Sequence, residues 1–62
     1  MPLTGKEMLK LLLDNGFEIR RIVGSHHHLY KNGTRVTVPV HGNKDLGKGL
    51  ESKILKDAKL KK

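Results

Sequence analysis

A chain of 62 residues has room for one small domain around a single thin core, which excludes large enclosed substrate pockets and leaves little stability in reserve. Thirteen Lys and Arg against six Asp and Glu give a formal charge of +7, an attraction for nucleic acid or an acidic protein that does not distinguish between them. The absence of cysteine excludes a disulfide framework and a thiolate zinc site, and one Phe with one Tyr is too little for a platform that stacks several bases.

The chain opens Met1-Pro2-Leu3-Thr4 without the apolar run of a signal peptide, and its longest apolar run, Leu11-Leu12-Leu13, is too short to cross a bilayer. A cytoplasmic protein without membrane association is expected. Thr4 with Glu7 three residues later forms the pattern of a capping box, with Leu3 and Met8 as the accompanying hydrophobic staple. Met8, Leu9, Leu12 and Leu13 then recur at helical spacing, with Lys6, Lys10 and Asp14 opposite, until Asn15-Gly16 supplies a left-handed stop.

After Gly16 the pattern becomes β-like. Phe17 to Val23 reads as a strand and Gly24-Ser25 as its break. His26 to Lys31 and Thr34 to Val40 flank Asn32-Gly33, the dipeptide best suited to a two-residue type I′ hairpin, in which both central residues need positive φ. That turn predicts the pairs Lys31 with Thr34, Leu29 with Val36, His28 with Thr37 and His27 with Val38. Leu29, Val36, Val38 and His27 then share the apolar face, and His26, His28, Tyr30, Arg35 and Thr37 share the other, which is open if the helices cover one side. Pro39 fits an edge strand or a strand end. From Lys44, the residues Leu46, Leu50, Ile54 and Ala58 recur every fourth position and predict a second helix. Gly47 and Gly49 weaken its start, so it is expected to begin near Lys48, and the tail from Lys59 to Lys62 is expected to fray. The order is helix, three strands, helix, in one domain over residues 1–62.

Gly24-Ser25-His26-His27-His28-Leu29-Tyr30 puts three imidazoles, the side chains suited to proton transfer near neutral pH, at the head of a strand in a basic chain. Proton transfer on a polyanion points to RNA. His26 and His28 on one face with His41 beyond strand three form a weaker, metal-binding pattern that lacks a carboxylate or thiolate.

In order and spacing, Asn15-Gly16-Phe17, Gly24 to Tyr30, Val38-Pro39-Val40-His41-Gly42, and Gly49 ahead of Ile54-Leu55-Lys56 make the chain resemble the HicA (YcfA-like) mRNA interferase toxins over nearly its whole length. The resemblance implies an α+β fold like a double-stranded-RNA-binding domain, α-β-β-β-α, with a three-stranded antiparallel sheet and two helices packed on one face. It also implies a toxin of a type II toxin-antitoxin system, a metal-independent endoribonuclease acting on mRNA, without a cofactor. Its partner would be a HicB-type antitoxin in a hetero-oligomeric complex. The family's active histidine follows a Gly-Ser or Gly-Gly turn three residues before a large side chain. Counting back from Tyr30 gives His27, with His26 and His28 as alternates. One histidine would serve proton transfer while Arg20, Arg21, Lys31, Arg35, Lys44 and Lys48 contact RNA and offset phosphate charge. The second helix lacks the full lysine cluster of true duplex-binding domains, so shape-based duplex binding is not expected. Lys59 stands where members of the family often have glycine. The competing reading is a non-catalytic RNA-binding or protein-binding module of the same fold.

Overall fold

The computed structural model describes residues 3–60 and orders them as α1 (Gly5–Asp14), β1 (Glu18–Val23), β2 (His26–Lys31), β3 (Thr34–Pro39) and α2 (Lys48–Asp57). The class is α+β, and the three strands form an open antiparallel sheet in the order β1-β2-β3. This is the α-β-β-β-α arrangement of a double-stranded-RNA-binding domain.

Local chemistry accounts for the ends of α1. The Thr4 hydroxyl accepts the Glu7 N–H at 3.2 Å while the Glu7 carboxylate accepts the Thr4 N–H at 2.9 Å, so two otherwise orphaned donors are satisfied. Leu3 packs against the cluster that contains Met8, as a staple requires. At the other end Gly16, at φ +93°, reverses the chain, and the Phe17 N–H reaches back to the Leu12 carbonyl at 3.0 Å. Phe17 is therefore a buried residue of the helix-ending turn, ahead of β1.

Helix α2 ends by the same motif with a less suitable residue. The Leu60 N–H donates to the Leu55 carbonyl at 2.8 Å, and Lys59 takes the left-handed position at φ +61°, where a Cβ is strained. Lys59 and Leu60 are thus tied to the helix, and Leu60 packs on the core, which corrects the expectation of a frayed tail from Lys59. Lys61 and Lys62 lie outside the described residues.

The hairpin register is the one the Asn32-Gly33 turn dictates: Lys31 opposite Thr34, Leu29 opposite Val36, His28 opposite Thr37, His27 opposite Val38. Both turn residues have positive φ, +47° and +82°. Strand β3 ends at Pro39, one residue earlier than its apolar pattern suggests, and the next N–H, of Val40, turns to the Ser25 carbonyl at 2.7 Å. In β1 the register slips between Ile19 and Arg21. Ile19 and Ile22 are three apart, so strict alternation would put them on opposite faces. The bulge absorbs Arg20 and returns both isoleucines to the helix side, opposite Leu29 and His27.

Met8 and Leu12 of α1, Phe17 of the turn before β1, Leu29, Val36 and Val38 of the sheet, and Ile54 and Ala58 at α2 form the buried core. Helix α2 packs along β3, and all of β1 stays exposed. Of the apolar series predicted for the second helix, Leu46 lies before α2 and ties its N–H to the Leu3 carbonyl at 2.9 Å, and Leu50 is exposed. Glu51 of α2 also accepts the Leu3 N–H at 3.0 Å, fastening the start of α1 to α2.

Gly5 marks where α1 meets the end of β3. A Cβ there would lie 2.5 Å from the Pro39 carbonyl oxygen and 2.9 Å from the Val40 Cα, both backbone atoms that cannot swing aside. Alanine normally improves a helix over glycine by about 1 kcal/mol. Gly5→Ala is expected to reverse that sign and lower the midpoint of thermal unfolding; an unchanged or higher midpoint would contradict this packing.

Candidate functional site

The head of β2 is built by its turn. Gly24, at φ +58°, allows the reversal out of β1, and the Ser25 carbonyl bonded to Val40 holds the start of β2 against the end of β3. Strand alternation then divides the three histidines between two faces. Val23, His26 and Pro39 form one row across the open face, and Arg21, His28 and Thr37 form the next. Ile22, His27 and Val38 form a row on the helix side.

His27 is half-buried at the rim of that side. Its Nδ1 lies 3.4 Å from the Ser25 carbonyl oxygen, a long contact that suits the tautomer protonated at Nδ1. In that tautomer Nε2 keeps its lone pair and can take a proton. Ile22, its cross-strand neighbour on the outer strand, is exposed. His28 is held differently, its Nδ1 3.0 Å from the Thr37 hydroxyl on the open face. Thr37 was not among the candidate residues in the sequence, although its position opposite His28 follows from the hairpin register.

His26 is exposed and lines a groove of about 460 Å³ between β3 and α2. Arg35, Thr37 and Pro39 form one wall; Leu50, Lys53, Ile54 and Asp57 form the other. Lys53 donates to the Asp57 carboxylate at 2.9 Å, one turn apart on the helix. Lys53 was also missed, yet its place beside Ile54 in the helical pattern could have pointed to this wall. A smaller depression of about 220 Å³, lined by His41, Lys44, Asp45 and Leu46, shares Pro39 and Leu50 with the groove. The concave surface therefore runs along the seam of β3 and α2, with His26 and Arg35 at one part and Lys44 at another. Lys48 is the first residue of α2, whose N-cap Gly47 makes no side-chain hydrogen bond to the free N–H groups.

Two of the six candidate cations are already engaged. The Lys31 ammonium donates to the Asn15 carbonyl at 2.5 Å and sits 5.8 Å from the Phe17 ring centroid, closing the C-terminal end of α1. Arg20, the bulge residue, pairs with Glu18 at 3.6 Å and lies 6.0 Å from the Tyr30 ring centroid. Arg21 faces His28 across the sheet. The structure thus groups Arg35 with His26, puts Arg21 beside His28, and takes Lys31 away to the end of α1.

Among the described residues no three His, Asp or Glu side chains converge as metal ligands, so His26, His28 and His41 do not form the cluster their pattern suggested. Nor is any described helix long and apolar enough to cross a membrane. The family model for the HicA toxin of bacterial toxin-antitoxin matches residues 5–60. No curated protein matches the chain.

Proposed function

Because this chain belongs to the HicA toxin family of bacterial toxin-antitoxin systems, we propose that it is a cytoplasmic mRNA interferase, a metal-independent endoribonuclease that inhibits translation and growth and is held in check by a HicB-type antitoxin in a hetero-oligomeric complex. The observation that carries this reading is His27, half-buried after the Gly24-Ser25 turn with Nδ1 3.4 Å from the Ser25 carbonyl oxygen, in a chain matched by the toxin family along nearly its full length.

In the proposed reaction, Nε2 of His27 takes the proton of the RNA 2′-hydroxyl. The 2′-oxygen attacks the adjacent phosphorus, and the bond from phosphorus to the 5′-oxygen breaks, giving a 2′,3′-cyclic phosphate and a 5′-hydroxyl. The departing 5′-oxygen, on the far side of phosphorus from the attacking 2′-oxygen, takes its proton from water, and the imidazolium releases its own to solvent. Arg35 in the groove, with Arg21, Lys44 and Lys48, supplies positive charge that holds the flanking phosphates of the strand. Lys31 and Arg20 contribute less, because their charges already have partners in the fold.

The test is incubation of the purified chain with a defined mRNA in excess EDTA. Discrete cuts bearing 2′,3′-cyclic phosphate ends are expected; intact RNA with binding retained would replace this reading with the non-catalytic module. The same RNA separates the cations. Arg35→Ala is expected to weaken binding and to make the slope of log affinity against log salt shallower by roughly 0.7 to 1. Lys31→Ala should leave that slope unchanged and lower stability instead. Equal slopes for Arg35→Ala and the unmodified chain, from binding titrations at several salt concentrations, would remove Arg35 from the interface.

A further inference from the structure

The outer edge of β1 has no strand beside it, and among the described residues no other backbone segment bonds to it. Its large apolar side chains are nevertheless exposed: Ile22 by 56%, Val23 by 49% and Ile19 by 38%. They occupy both faces of the strand, Ile19 and Ile22 on the helix side and Val23 on the open side. Leu13, in the last turn of α1, is exposed by 44%. An unpaired edge flanked by apolar side chains on both faces is a template for another strand, and isolated proteins usually protect such edges.

The charges of β1 decide what can pair there. Arg20 and Arg21 stand at the middle of the strand. Antiparallel pairing of two copies about a twofold axis would bring these arginines opposite their own counterparts, in two chains each carrying +7. A second copy is therefore disfavoured. A strand with apolar residues flanked by Asp or Glu meets both the isoleucines and the arginines, and its approach is accelerated by the toxin's charge.

We propose that the antitoxin docks by adding an acidic, amphipathic strand to the free edge of β1. This rests on the toxin reading above and adds the site and the mode of control. Ile22 is the cross-strand neighbour of His27. A strand laid along β1 would sit one strand beyond His27, beside Ile22, so control acts at the edge strand while the groove between β3 and α2 stays open.

The experiment uses the full chain and a HicB-type antitoxin expressed with it, co-purified as a complex. Hydrogen exchange of the backbone amides of residues 18–23 is compared in the free chain and in the complex. Selective slowing along β1 is expected; a formed complex with β1 unprotected overturns the proposal while leaving the toxin reading intact. The double variant Ile22→Asp with Val23→Asp, both exposed, is expected to weaken antitoxin binding by about 100-fold or more while unfolding cooperatively. Binding as tight as that of the unmodified chain overturns the proposal. Should the double variant fail to fold, the exchange pattern of the unmodified complex decides. If the unmodified chain does not bind the antitoxin at all, the proposal falls, and RNA cleavage by the free chain separately decides the toxin reading.

Discussion

Replacing His27 with alanine is expected to lower the rate of RNA cleavage by about 10² to 10⁴, the usual worth of a positioned general base, and to leave RNA affinity nearly unchanged. The contrast follows from the placement of the ring. His27 is half-buried on the helix side, while the cations Arg21 and Arg35 lie on the open face and Lys44 and Lys48 lie in and after the loop leading to α2. Removing one ring at the rim should therefore not disturb the charges that hold the phosphates. Single-turnover cleavage, binding titrations and thermal unfolding of the same preparation separate the three effects. If His27→Ala cuts at the rate of the unmodified chain, the base lies on the other face. His26→Ala and His28→Ala then become informative. His26 lines the groove beside Arg35, whereas His28 is bonded to Thr37, so loss of activity only in His26→Ala would place the reacting phosphate in the groove between β3 and α2.

The largest expected effect on stability belongs to Leu29. It is fully buried in the central strand, with Ile19 and Val36 as its neighbours across the sheet and both helices contributing to the cluster around it. Leu29→Ala removes buried methyl groups and leaves a cavity, at a cost of about 2 to 5 kcal/mol. A core this small rarely supplies more than about 3 to 5 kcal/mol of net stability. The variant is expected to be largely unfolded at 25 °C, and urea titration followed by circular dichroism measures it. Leu29→Met, which conserves volume, should cost less than about 1.5 kcal/mol and remain folded. A cooperative Leu29→Ala variant within 1 kcal/mol of the unmodified chain, about half the smallest cost expected, would mean that the core is not organised around this residue.

The parts of this protein that were legible in its sequence are those whose causes are local. Thr4 with Glu7, Asn15-Gly16 and Asn32-Gly33 act through hydrogen bonds and φ values within a few residues, so they mark the ends of α1 and the hairpin before any packing is known. Once the turn is given, register follows by counting, and with it the division of His26, His27 and His28 between two faces. The bulge in β1 was not read from the sequence, although Ile19 and Ile22, three apart, share a strand face only when one residue is looped out. The Lys59 cap was harder to see, since packing of Leu60 on the core holds a lysine in a conformation that suits glycine. The groove was not legible at all. Which side of β3 receives α2 is set by burial of Ile54 and Ala58 against the whole core, and only that docking brings Lys53 opposite Arg35 and His26. The fates of Lys31 and Arg20 were likewise decided in three dimensions, where a carbonyl at the end of α1 and a carboxylate with a nearby ring engaged charges that the sequence reading had offered to RNA. The sequence by itself determined the elements, the hairpin register and the basic, histidine-bearing character of the chain. The tertiary structure decided which of those charges remain free and which sheet edge is left without α2 beside it, because both depend on contacts between residues far apart in the chain.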